Sequence, residues 1–107
     1  MNAQSTTVTS FAIEAGHPAL PGHFPGLPVV PGVVLIDRII DAAARWLGAR
    51  VYVLSIQQVK FLRPLLPGET ADVTLNFDGE RSLRFAIAHR ETAIASGMLE
   101  VRTGPQT

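Results

Sequence analysis

A chain of 107 residues has the length of a single domain, here residues 1–107, and its nine basic and nine acidic side chains cancel at neutral pH. The basic residues are scattered, which excludes the electrostatic footprint of a nucleic-acid or anionic-membrane binder, and no apolar run approaches the roughly 20 residues of a membrane span. Cysteine is absent, which excludes disulfides and thiolate metal sites, and the N-terminus lacks a secretory pattern, so we expect a cytoplasmic protein.

The balance of apolar and charged residues predicts self-association. Of all residues, 47% are hydrophobic and only 17% are charged. A domain of this size buries only about 60 to 70% of the surface that its unfolded chain exposes. One layer of sheet and helix would therefore leave apolar surface uncovered, and we expect a dimer.

The first predicted element is a strand over residues 6–15, rich in β-branched residues and ended by Gly16. Residues 16–32 form a stiff loop, because five prolines and four glycines deny it helical and ladder hydrogen bonds. The following segment, VVLIDRIIDAAARWL, contains neither residue type and predicts one helix that ends at Gly48. Its apolar residues cover most of the circumference, which is typical of a helix enclosed by other structure.

From Arg50 onward the pattern favours strands. KFLRPLLPGE is expected to end an edge strand in a Pro-Gly turn, and DGERS to form a tight turn. Residues after about 103 are expected to be a disordered tail. The order predicts an α+β fold in which antiparallel strands surround one helix. Four strands are expected here, with the sequences RVYVLSIQQVKFL, ADVTLNF, LRFAIAHR and ETAIASGMLEVR.

The loop segment PGHFPGLPVVPGV places one ionisable side chain, His23, among four prolines and three glycines. A helix that begins near Gly32 directs unpaired backbone N–H groups and its positive dipole end toward this loop, which suits an oxygen that gains negative charge. Asp37 lies about one and a half turns into the helix beside Val33 and Ile40. An apolar surround favours the neutral form of a carboxylic acid, so Asp37 is a candidate proton donor.

The succession of a strand, a loop containing GHFPGLPVVPG, a helix and strands that include KFLRPLLPGE resembles the hotdog-fold 3-hydroxyacyl-acyl-carrier-protein dehydratases. The resemblance runs from about His17 to the last strand. It implies an α+β hotdog fold, an antiparallel sheet wrapped around one long central helix. In that family the loop histidine and an acidic residue fourteen positions later form the catalytic pair, which implies His23 and Asp37 here.

The chain departs from the family pattern at two positions and at its start. Asp37 is the acidic residue of the dehydratase-isomerase branch, whereas the single-function branch carries Glu. Asp41 stands where a Gln is usual. The usual N-terminal segment is missing, so the chain resembles the compact dehydratases of specialised fatty-acid or aryl-polyene gene clusters.

The resemblance implies dehydration of a (3R)-3-hydroxyacyl thioester, carried by acyl carrier protein, to the trans-2-enoyl thioester. His23 would take the C2 proton, the Gly32 N–H would stabilise the thioester oxygen, and protonated Asp37 would donate to the departing hydroxyl. No cofactor or metal is implied. Two subunits would form a homodimer, with His23 and Asp37 of one site on different chains. Three further residues are expected to contact the substrate: Phe24, Pro31 and Val33.

Two other functions fit the same residues. A hotdog thioesterase would use a carboxylate to activate water, and a non-catalytic acyl-binding or partner subunit would have its catalytic pair completed by a different chain. Asp41 keeps the second alternative open, because another carboxylate four residues from Asp37 changes the polarity of the pocket. We assign Asp41 and Arg45 to a helical ion pair, and His17 and His89 to structural roles.

Overall fold

The computed structural model describes residues 5–13 and 29–105. These residues contain one helix and five strands. The predicted order of the elements is confirmed. The first strand ends earlier than expected, and the last continues two residues past Arg102, into the predicted tail. The elements are β1 (Ser5–Ala12), α1 (Gly32–Leu47), β2 (Arg50–Phe61), β3 (Thr70–Phe77), β4 (Ser82–His89) and β5 (Thr92–Gly104).

The ends of α1 follow from a proline and a glycine. Pro31 precedes the helix in an extended conformation, with φ −61° and ψ 145°, and its carbonyl accepts hydrogen bonds from the N–H groups of Val34 and Leu35. Gly48 ends the helix in the left-handed region at φ 64°, and its N–H donates to the carbonyl of Ala44. A residue without a Cβ adopts that conformation at little cost. The predicted end of the helix is confirmed.

The helix buries one face rather than its whole circumference. Its buried residues are Val34, Leu35, Ile36, Ile39 and Ala43. The opposite side carries the exposed side chains of Asp37, Asp41 and Arg45, and Val33 is 65% exposed. Within the described residues the sheet packs against one side of the helix, so the expected enclosure on all sides is not seen in this part of a single chain. No helix in the described residues is long and apolar enough to cross a membrane.

The five strands form one antiparallel sheet in the order β1-β3-β4-β5-β2. The core lies between α1 and one face of this sheet. The order leaves β1 and β2 as the two edges, and no strand of the described residues pairs with the outer side of β2. The largest completely buried side chains include Ile39 of the helix and Leu75, Leu83, Ile87 and Leu99 of the sheet.

Two irregularities in β2 change which of its side chains face the helix. The register moves from Val53 opposite Val101 to Ser55 opposite Glu100, so Leu54 is an extra residue. This bulge places Ile56 opposite the buried Leu99. Residues directly opposite each other lie on the same face of the sheet, so Ile56 faces the helix side.

The second bulge sets Gln58 and Val59 opposite Gly97. Gln58 adopts a positive φ of 52°. A Cβ on Gly97 would lie 2.7 Å from Cγ2 and 2.9 Å from Cα of Val59. Gly97 is therefore required by the close approach of the β2 backbone at Val59.

The predicted tight turn between β3 and β4 is confirmed. Oδ1 of Asp78 accepts hydrogen bonds from the backbone N–H groups of Glu80, Arg81 and Ser82, at 2.8, 2.9 and 3.0 Å. These donors, that of Glu80 foremost, hold the pKa of Asp78 below its ordinary value because they stabilise the carboxylate. The turn thus keeps β3 and β4 in register.

Candidate active site

A cleft of about 490 Å³ lies at the N-terminus of α1. Residues 29–33 and Leu35 form one side of it, and residues 61–65, at the end of β2, form the other. Arg63 is the one charged side chain among the described residues that line it. The cleft is therefore a largely apolar space with a cation on its wall.

Backbone hydrogen bonds hold the two sides of the cleft together. The N–H of Val30 donates to the carbonyl of Leu65 at 2.8 Å, which ties the helix entry to the β2–β3 connection. The N–H groups of Leu62 and Arg63 both donate to the carbonyl of Ile94 on β5, at 2.7 and 3.2 Å. The cleft walls are thereby anchored to the sheet.

His89 and Glu69 brace the far end of the same connection. His89 Nδ1 donates to the carbonyl of Thr70 at 2.7 Å, and its Nε2 lies 3.1 Å from Oε2 of Glu69. The other oxygen of Glu69 accepts from the N–H of Leu66 at 2.8 Å. These contacts support the predicted structural role of His89. Its partners were not predictable, since they lie 19 and 20 residues away along the chain.

The N-terminus of the helix directs backbone donors toward the cleft. Among the described residues no side chain caps α1, and its first turn has no acidic residue. Within residues 5–13 and 29–105, the N–H groups of Gly32 and Val33 have no acceptor, while those of Val34 and Leu35 are bonded to Pro31. Unbonded N–H groups at a helix N-terminus carry a partial positive charge. The cleft can therefore stabilise an oxygen that acquires negative charge.

Phe61 is a cleft residue that sequence reasoning missed. Its ring lies against Gly32 so closely that a Cβ there would be 2.7 Å from Cζ. A side chain at position 32 would therefore displace the Phe61 ring from its present place. The only sequence signal was the position of Phe61 at the end of a strand, directly before the RPLLPG break.

The structure brings together three of the predicted site residues, since Pro31, Gly32 and Val33 all line the cleft. Asp37 is exposed on α1 and is not part of the cleft lining. Two further predicted residues, His23 and Phe24, lie outside the described residues.

The predicted ion pair between Asp41 and Arg45 is wrong. The ion pairs within the described ranges join Arg81 to Glu100 at 3.4 Å and His89 to Glu69. Both helix side chains are exposed, and a surface pair at this spacing gains only about 0.3 to 0.5 kcal/mol. Solvation of the two separate charges competes easily with a gain of that size.

The comparison with known families agrees with this geometry. Residues 1–98 match the model of the ApeI-like family, described as ApeI dehydratase. The chain belongs to the ApeI-like dehydratase family. This membership confirms the predicted resemblance to 3-hydroxyacyl-acyl-carrier-protein dehydratases and the predicted α+β hotdog fold.

Curated relatives of this dehydratase-family chain include two FabZ enzymes, each named 3-hydroxyacyl-(acyl-carrier-protein) dehydratase. The FabZ of Wolbachia pipientis subsp. Culex pipiens is 42% identical over 67 residues, which cover 56% of this chain and 47% of the relative. The FabZ of Methylobacterium nodulans is 29% identical over 109 residues, which cover 92% of this chain and 67% of the relative. The chain thus spans between about half and two thirds of the length of these relatives.

Solved structures share the whole architecture. The dehydratase heterocomplex ApeI:P from Xenorhabdus doucetiae matches with a TM-score of 0.82 and 29% identity, over 94% of this chain and 89% of that one. An uncharacterized protein from Erwinia carotovora subsp. atroseptica matches with a TM-score of 0.80 and 27% identity, over 96% and 87%. The (R)-hydratase from A. caviae, at 16% identity and a TM-score of 0.76 over 95% and 96%, shares the fold.

Proposed function

We propose that the protein removes water from a (3R)-3-hydroxyacyl thioester on acyl carrier protein and produces the trans-2-enoyl thioester, in fatty-acid or polyene biosynthesis. The observation that carries the proposal is the uncapped N-terminus of α1, which opens into a largely apolar cleft in a chain of the ApeI-like dehydratase family. An apolar cleft suits an acyl chain, and free N–H groups suit a thioester oxygen.

Each step of the elimination has a residue assigned to it. His23 takes the proton from C2, and negative charge moves onto the thioester oxygen, which accepts a hydrogen bond from the N–H of Gly32. Protonated Asp37 donates to the 3-hydroxyl group, which leaves as water while the double bond forms between C2 and C3. Because acid-base groups balance every proton, the reaction requires neither metal nor cofactor. The substrate contacts are assigned to Phe24, Pro31 and Val33.

A homodimer would complete the site. Asp37 is exposed and does not line the cleft of its own chain, whereas the proposed reaction needs its carboxyl in a protected environment. The edge strand β2 also exposes Tyr52, Leu54 and Ile56, by 40, 57 and 59%. An apolar edge strand favours pairing with another strand. We therefore propose that a second copy joins along β2 and that each site combines His23 of one subunit with Asp37 of its partner.

The dimer gives a first prediction. The protein is expected to sediment as a dimer at micromolar concentration, and Leu54→Arg is expected to give a folded monomer without activity, because the new charge would be buried at the contact. Val8→Arg is the matched control, since Val8 is 71% exposed on β1, the other edge. A wild-type chain that sediments as a stable monomer would contradict the homodimer.

The proposed setting is the cytoplasm, with acyl carrier protein as the partner that delivers the substrate. A panel of 3-hydroxyacyl carrier-protein thioesters incubated with the purified protein and analysed by mass spectrometry tests the reaction. Loss of water with the thioester intact is the expected result. Release of free acid and thiol would show a thioesterase instead, and an unchanged panel would refute catalysis by this protein alone.

A partner subunit of a mixed dehydratase is the second candidate. Two observations favour it: Asp37 lies off the cleft of its own chain, and a similar structure is described as a dehydratase heterocomplex. In that case a different chain, rather than a second copy, would complete the catalytic pair. Turnover by the purified protein alone would exclude this candidate.

A further inference from the structure

A second, smaller pocket adjoins the cleft. Its volume is about 280 Å³, and it is lined by Gly32, Val33, Ile36, Ile56, Val59 and Phe61. All of these residues are apolar, in contrast to the cleft, whose wall includes Arg63. Gly32, Val33 and Phe61 line both spaces and therefore form the boundary between them.

Phe61 supplies the largest side chain of this boundary. Gly32 has no side chain, and Val33 is 65% exposed. The Phe61 ring fills the space directly over Gly32, where a Cβ would be 2.7 to 3.2 Å from three of its atoms. Truncation of this one side chain would therefore join the two spaces.

The backbone beneath the ring is held in place. Phe61 is paired with Ala95 of β5, and the N–H of the next residue, Leu62, donates to the carbonyl of Ile94 at 2.7 Å. The preceding bulge is fixed by the contact between Val59 and Gly97. Ile56 reaches the pocket only because the earlier bulge at Leu54 turns it to the helix side. These contacts hold the backbone of the pocket wall in place. The Phe61 ring is therefore the part of the wall that a substitution can change without moving the backbone.

We propose that Phe61 determines the acyl-chain length that the protein accepts, by closing the apolar pocket to all but the shorter chains. This inference rests on the proposed function, which places the thioester oxygen at the N–H of Gly32. Because Gly32 lines both spaces, an acyl chain that starts there meets the Phe61 ring before it enters the pocket. An entirely apolar pocket at that point fits the distal methylene groups of a longer chain.

The experiment measures kcat/KM for 3-hydroxybutyryl, 3-hydroxyoctanoyl and 3-hydroxydodecanoyl carrier protein with the wild type and Phe61 variants. Phe61→Ala is expected to raise the ratio of dodecanoyl to butyryl kcat/KM by about tenfold or more, roughly the discrimination that one methylene gives in a fitted apolar pocket. The ratio for Phe61→Leu is expected to lie between those of the wild type and Phe61→Ala. The ratio for Phe61→Trp is expected to be lower than that of the wild type.

Leu66→Ala is the matched control. Leu66 lies in the connection that follows Phe61 and is 44% exposed, against 54% for Phe61, but it lines neither space. Its ratio should equal that of the wild type. A melting curve for each variant identifies any loss of folding, and Phe61→Leu, which keeps an apolar side chain over Gly32, provides the readout if the alanine variant unfolds.

Three outcomes separate the possibilities. Unchanged length ratios in folded, active Phe61 variants would overturn the proposal. Dissociation of Phe61→Ala into monomers with an unchanged length ratio would assign the pocket to a subunit contact and would also overturn it. If the wild type dehydrates none of the thioesters, the proposed function fails by itself. The length preference is then measured as the Kd of the wild type and of the Phe61 variants for acyl-pantetheine amides of the same chain lengths. An equal change in Kd for all lengths would overturn the role of Phe61.

Discussion

His23→Ala is expected to lower kcat for dehydration by about 100- to 10,000-fold, the range that a proton-transfer group contributes. The imidazole acts on the C2 proton in the transition state, so its removal should reduce turnover and leave the folded state largely intact. Steady-state water loss, measured beside a thermal melting curve, gives both quantities.

His17→Ala is the control for His23, because it removes an imidazole six residues earlier and has no part in the proposed reaction. It should retain the activity of the wild type. Full activity in a folded His23→Ala protein would refute the assignment of the base, and equal losses in both variants would attribute the effect to the loop rather than to one imidazole.

Asp37→Asn is expected to have an effect of similar size. Asparagine keeps the size of the side chain and much of its hydrogen bonding but has no acidic proton to deliver to the departing hydroxyl. We expect kcat to fall by about 100-fold or more, while KM for the carrier-protein substrate changes little. The exposed position of Asp37 on α1 makes a large change in the free energy of unfolding unexpected.

Asp41→Asn provides the comparison on the same helix. Asp41 lies one turn further along, is exposed and forms no ion pair with Arg45. The substitution thus removes a carboxylate without breaking a contact between these two side chains, and activity should remain close to that of the wild type. Small and equal effects from Asp37→Asn and Asp41→Asn would mean that Asp37 is an ordinary polar residue of the helix surface.

Local features of the sequence were sufficient to predict the elements. Pro31 and Gly48 delimit the helix because one fixes φ and the other tolerates a left-handed backbone, and both effects act within a few residues. The alternation of Val73, Leu75 and Phe77 identifies a strand with one buried face, as observed.

The site also depends on contacts between distant residues, which local patterns do not encode. In a regular strand, the alternation of side chains would place Ser55 on the helix side of β2. The bulge at Leu54 brings Ile56 there instead. Whether Asp41 pairs with Arg45 depended on a balance of a few tenths of a kcal/mol, which spacing does not resolve.

By itself, the sequence determined the order of the elements, the end of the helix at Gly48, the family, and the residue types available for an elimination. The tertiary structure decided that, among the described residues, the sheet packs against one face of the helix, that Asp37 is exposed and does not line the cleft of its own chain, and that Phe61 lies over Gly32. The last contact joins residues 29 positions apart. It exists because the pairing of β2 with β5 and the bulge against Gly97 bring the end of the strand to the start of the helix, and strand register is set by the packing of the whole sheet.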